Sequence, residues 1–260
     1  FRIMKKKYLI LLLVILIFSC KSFMLNYALS QVGVFEDKVD LKKFRNDKRS
    51  IVLIPMHHIG TELFYDDVKH KIDSLQGKKY RIYYELITAD TKKQDTAKIM
   101  LNYRKFRKIN GEKIMPQQSM LSSIKEKFNN KVKLKKELIN QPSYKKLGVN
   151  LKKAKKVDTD LNELISYYEK KYGEIKLEEC DLANLPYEEY KCEALTKNQN
   201  RIDEVILTLR NNKVINKLKK DSTDNIAIIY GKGHYDGIKK FLINNNYEIP
   251  WYLIKEVQKT

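Results

Sequence analysis

Two short apolar runs near opposite ends of the chain constrain its fold more than any other feature. Ile51-Val52-Leu53-Ile54 passes through Pro55 and Met56 into His57-His58-Ile59-Gly60-Thr61. Asn225-Ile226-Ala227-Ile228-Ile229-Tyr230 passes into Gly231-Lys232-Gly233-His234. Short, β-branched runs bounded by turn residues are the pattern of buried strands. Thr61 can cap a helix to about Leu75, which Gln76-Gly77 stops, and residues 80–87 read as the next strand. That is a strand, helix, strand unit. Residues 90–220 are mostly helical in character, with segments at 91–108, 119–129, 160–172 (capped by Asp160) and 196–220. A helix to about Asn244, an Asn triplet and a final strand over 247–257 complete the chain. The expected fold is α/β, a central mostly parallel sheet built from two βαβ-like ends with a helical insertion in the middle.

The N-terminus carries a different message. Lys5, Lys6 and Lys7 precede an apolar run from Tyr8 to Phe18, followed by Ser19 and Cys20. A basic stretch, a short apolar stretch and a small residue form a secretory signal, and the run is shorter than the roughly 20 residues of a spanning helix. Ile17-Phe18-Ser19-Cys20 resembles the lipobox of bacterial lipoproteins, which implies that Cys20 becomes the acylated first residue. An ordinary signal peptide with a chance cysteine, or a retained signal anchor, is the competing reading. The division expected is a signal over 1–19, a lipidated tether over 20–48 without apolar period, and one α/β domain over 49–260. The membrane is then a partner through the lipid, and the location is the bacterial cell envelope, periplasmic or at the cell surface.

The net charge is +20, and loss of Arg2, Lys5, Lys6 and Lys7 with the signal leaves +16. Such an excess normally points to nucleic acid or anionic lipid. Here it is nearly all lysine, scattered among abundant Asn and Ile, a pattern that AT-rich codon usage produces. No arginine stripe or nucleic-acid motif accompanies it, so no nucleic-acid partner is expected. Cys180 and Cys192, twelve residues apart, can form a disulfide in an oxidising compartment or remain two thiols.

The chain has four histidines, and His57, His58 and His234 all follow predicted strands, where α/β folds build their sites. Glu85 lies near the end of the strand at 80–87. Two imidazoles and a carboxylate form a ligand set for a divalent metal (Mn, Co or Zn) that leaves positions open for water and substrate. A histidine at a strand end also serves as a hydrogen-bonded structural residue. His70, within a helix, reads as exposed. Gly231 and Gly233 are expected to permit the tight turn from strand to helix. Gly-Lys-Gly before a helix suggests a phosphate loop, but the P-loop spacing is missing.

Four short features in order resemble the TraB/PrgY/GumN family, which includes the Tiki proteins. Gly231-Lys232-Gly233-His234 matches its second Gly-x-x-His motif, and Tyr235-Asp236-Gly237 continues the His-x-x-Gly ending. Arg210-Asn211 matches an upstream Arg-Asn pair, and Tyr84-Glu85-Leu86 matches a Glu that follows the next strand. His58-Ile59-Gly60 fits the first motif, but Pro55 stands where its glycine is expected, and His57 is an extra histidine. The resemblance covers residues 51–249. It implies an α/β domain of the kind shared with erythromycin-esterase-like and ChaN-like proteins, and Tiki members are described as metal-dependent proteases.

The expectation is an envelope-anchored hydrolase of the peptidase type. His58 and His234 hold the metal, with Glu85 as third ligand or general base. Arg210 holds a substrate carboxylate or the developing oxyanion, or is a plain surface arginine. His57 is a spare ligand or a supporting partner. The substrate is a peptide or small molecule. A protein that binds or sequesters a peptide or small ligand in the same pocket, without turnover, is the reading from a different class.

Overall fold

The computed structural model describes residues 21–88, 95–112, 120–195 and 199–250. The expected signal and its Cys20, and most of the final strand expected over 247–257, lie outside them.

The elements follow in chain order. Helix α1 covers residues 21–31. Then come β1 (Lys42–Arg45), β2 (Ser50–Met56), β3 (Ile59–Gly60), α2 (Glu62–Gly77), β4 (Arg81–Tyr84), α3 (Thr96–Asn110) and α4 (Met120–Lys127). Next are β5 (Ile139–Asn140), β6 (Lys155–Lys156), α5 (Leu161–Tyr172), α6 (Glu179–Ala183) and α7 (Gln199–Asp203). A π-helical turn (Glu204–Thr208) leads into α8 (Leu209–Lys220), followed by β7 (Asn225–Gly231), a 3-10 turn (Lys232–His234) and α9 (Tyr235–Asn244).

The expected α/β class and mostly parallel sheet are present. Five strands run β1-β2-β7-β4-β6. Only the β1–β2 pair is antiparallel. The strands β2 and β4, consecutive around α2, are not neighbours, because β7 from the far end of the chain lies between them. That position explains the composition of β7: Ile226, Ala227, Ile228 and Ile229 are fully buried on both faces. Registers place Leu53 beside Ile228 and Ile228 beside Tyr83. This row packs with Val214 and Leu218 of α8 and Ile238 and Leu242 of α9. Each such fully buried aliphatic side chain contributes about 1.5–3 kcal/mol. A separate helical core joins Ile109 of α3, Leu161, Leu164 and Tyr168 of α5, and Val205 of the π turn.

The chain divides into two compact units. One gathers residues from 21–39, 57–71 and 120–147; the other holds the five-stranded sheet with the remaining helices. Part of the stretch expected as a tether over 20–48 carries structure of its own. Residues 21–31 are helical, Val34, Phe35 and Val39 are buried, and β1 hydrogen-bonds along β2. Valine and phenylalanine spaced between charged residues are enough to bury a segment that lacks a regular period.

Cap expectations hold in detail. The Thr61 hydroxyl accepts the Phe64 amide hydrogen, and the Asp160 carboxylate accepts that of Glu163. Cys180 and Cys192 form a disulfide.

Candidate functional site

The parallel strands β7, β4 and β6 end side by side, and the residue or turn after each supplies a polar group. Glu85 follows β4 directly, and its amide continues the ladder by donating to Ile229 O at 3.2 Å. Glu85 therefore lies beside the end of β7, and its Oε2 accepts the Gly231 amide hydrogen. Asp158 follows β6, where Val157 N donates to Tyr84 O at 3.2 Å. His234 ends the turn that follows β7.

Arg210, on α8, ties these strand ends together. Its Nε donates to Asp158 Oδ1 at 2.9 Å and its Nη2 to Asp158 Oδ2 at 2.8 Å, a two-point fork. Nη2 also donates to Glu85 Oε1, and Nη1 to the Ile206 carbonyl at 3.4 Å. The surface-arginine alternative is thereby excluded, since Arg210 is 5% exposed. Burial alone would lower its pKa, but Asp158 and Glu85 outweigh that and hold it above its ordinary value. Burial would likewise raise the pKa of Asp158, but the fork from Arg210 and the Tyr230 hydroxyl, 2.8 Å from Oδ1, hold it below the usual carboxylate range.

His234 is buried and is gripped at both ends. Nδ1 lies 2.8 Å from Asn211 Oδ1, and Nε2 lies 3.8 Å from Glu85 Oε1. An amide oxygen can only accept, so with Asn211 in this orientation Nδ1 carries the proton. Nε2 faces the carboxylate. The Tyr230 ring meets the imidazole edge-on at 4.6 Å between centroids.

The glycines of the motif act otherwise than expected. Gly231 has φ −53°, and neither it nor Gly233 adopts positive φ. A Cβ on Gly231 would stand 3.1 Å from Glu85 Oε2, so this glycine serves the close approach of the carboxylate. A Cβ on Gly233 would meet ordinary contact at 3.7 Å. Gly237, one turn into α9, is the tightest: a Cβ there would clash with Asn211 Nδ2. The His-x-x-Gly spacing thus lets α9 pass the amide that holds His234.

The structure brings together Glu85, Arg210, Asn211 and His234 of the expected residues. His57 and His58 belong to the other unit. There the His57 ring packs on Phe64, its carbonyl accepts from Tyr65 Oη at 2.9 Å, and the exposed His58 offers its carbonyl to Gln141 N at 2.8 Å. His70 is exposed on α2, as read. Two site residues were missed by sequence reasoning. In sequence Tyr230 is one more residue of the apolar run at 225–230. Asp158 stands in Val157-Asp158-Thr159-Asp160 beside the capping Asp160, and two aspartates so close leave one without a cap to explain it.

As metal donors, His234 Nε2 and Glu85 Oε1 fit two positions. The imidazole has the anchored Nδ1 that ligating histidines use. Among the described residues, no group of three or more His, Cys, Asp or Glu is placed to hold an ion. Compared with known proteins, the chain matches no family model, no curated protein and no solved structure.

Proposed function

We propose that the sheet-bearing unit carries the active site of a hydrolase acting on a peptide or ester carbonyl, in a protein anchored at the bacterial envelope. The observation that supports it most is the His234 imidazole, fixed at Nδ1 by Asn211 with Nε2 turned to a carboxylate. Buried networks that fix one tautomer and set the other nitrogen beside a carboxylate are a feature of acid–base sites.

In this reading, Nε2 of His234 takes the proton of an attacking water. The Glu85 charge then stabilises the imidazolium as it forms. Arg210 is a positioning residue, since its hydrogen bonds go to Glu85, Asp158 and a backbone carbonyl and it holds Glu85 in place. A divalent ion (Mn, Co or Zn), where present, would be held by His234 Nε2 and Glu85 Oε1 in place of that proton transfer. When bound, it supplies Lewis acidity that lowers the pKa of a water and polarises a carbonyl. The disulfide agrees with an oxidising location and so with export.

The test is turnover of peptide and ester panels, with and without added Mn²⁺, Co²⁺ or Zn²⁺, for the parent and for His234→Ala, Glu85→Gln and His58→Ala. Metal content is measured in parallel. Loss of turnover by about 100-fold or more in the first two variants, with circular dichroism unchanged, is the expected result. Unchanged turnover in both would sink the reading. Ligand retention without product by the parent would favour the binding protein.

A further inference from the structure

The opposite end of the same sheet holds a second, differently built concavity of about 680 Å³. Its walls are the starts of β4 and β6, the end of α2 and the turn at 150–154. The size falls within the roughly 300–1,000 Å³ of small-ligand sites. Its lining carries five cations, Lys79, Arg81, Lys152, Lys153 and Lys155.

Charge balance there is lopsided. Asp221, 5% exposed, pairs with Arg81 at 3.2 Å and Lys155 at 2.6 Å. Among the described residues no carboxylate pairs with Lys79, Lys152 or Lys153. A neighbouring cavity of about 380 Å³ shares Tyr80 and adds Lys43, Arg45, Lys48, Arg49 and Lys78 against Asp47 and Asp224, so cations remain in excess there too.

The walls are also fixed before any ligand arrives. Gln76 donates to Gly148 O and accepts from Asn150 N, both at 2.9 Å. Asn150 Oδ1 accepts from Lys152 N at 3.2 Å, and its carbonyl accepts from Lys153 N and Ala154 N at 3.0 and 2.9 Å. Tyr80 Oη is held 2.8 Å from Ser50 Oγ. A preformed wall removes part of the ordering cost of binding.

We propose that this cavity binds a small polyanion bearing two or more phosphate groups. Ammonium groups are compact charges with three donors each and suit a multiply charged tetrahedral anion. A planar carboxylate is matched instead by a guanidinium fork, and that of Arg81 is occupied by Asp221. The phosphates can belong to a soluble metabolite or to a lipid headgroup.

The test is calorimetric titration of the full mature chain with inorganic pyrophosphate at about 150 mM salt, where surface charges are screened beyond about 8 Å. Saturable one-to-one binding is expected, weakened at least tenfold by Lys152→Ala/Lys153→Ala and less than twofold by Lys239→Ala/Lys240→Ala. Glu85→Gln should bind as the parent does, which separates this site from the hydrolase reading. Cardiolipin vesicles that displace pyrophosphate would assign the ligand to lipid headgroups; failure to displace would assign it to soluble phosphates. No saturable binding by the parent, or equal weakening in both double variants, would overturn the proposal.

Discussion

At the scale of single residues, the tie between Arg210, Asp158 and Glu85 sets the largest stakes. Removing the guanidinium leaves two carboxylates facing each other, with Asp158 fully buried. Arg210→Met is therefore expected to lose about 3–5 kcal/mol in urea unfolding, more than a truncation that leaves no uncompensated charge. The same tie gives a pH dependence. The Asp158 pKa is lower in the fold than in the unfolded chain. Its contribution is therefore complete above about pH 4 and is lost as pH falls through the folded value. Asp221 and Glu204 shift in the same direction, Glu204 to about 2 through hydrogen bonds from Lys171, Tyr167 and Tyr172. The urea midpoint should be flat between pH 7 and 5 and fall steeply towards pH 2.5. Asp158→Asn, weaker at neutral pH, should fall less. An equal slope in both proteins would show that Asp158 takes no part.

At the scale of elements, the crossing of α9 over Asn211 and the disulfide loop each make a prediction. Gly237→Ala must push the Asn211 amide away from its contact with His234. The expected result is a folded protein whose His234 imidazole ¹⁵N shifts no longer report a single Nδ1-protonated tautomer, with turnover reduced together with it. Unchanged shifts would mean that Asn211 yields without releasing the ring. The Cys180–Cys192 link closes a twelve-residue separation. Reduction, or the double Ser variant, is expected to lower stability by about 3 kcal/mol, read as a drop in melting temperature with and without dithiothreitol. Element identity was legible because strand runs and caps are local signals: Ile51–Ile54, Thr61 and Asp160 each carry their own. The strand order was not legible. Nothing in β7 says which strands flank it beyond its burial on both faces. Asp158 was hidden for the same reason, since its partner Arg210 lies 52 residues away and no local spacing marks the pair. Gly231 and Gly237 were legible as motif positions, but their reasons, carboxylate and amide approach, exist only in three dimensions.

At the scale of the whole molecule, the charge and the proposed anchor act together. A chain of net charge +20 is drawn to anionic membranes even without acylation. Cys20→Ser is accordingly expected to abolish incorporation of labelled lipid while leaving a salt-sensitive fraction on membranes. Continued labelling would remove the lipoprotein reading. The position of β7 has a further consequence. Residues 225–231 are the middle of the sheet yet follow every other strand of it along the chain. Until they emerge, β1–β2 and β4–β6 have no strand to join them. A chain delivered from its N-terminus thus stays open across its centre until that strand arrives. The strand acts as a latch, and the two halves of the sheet become one only when it closes.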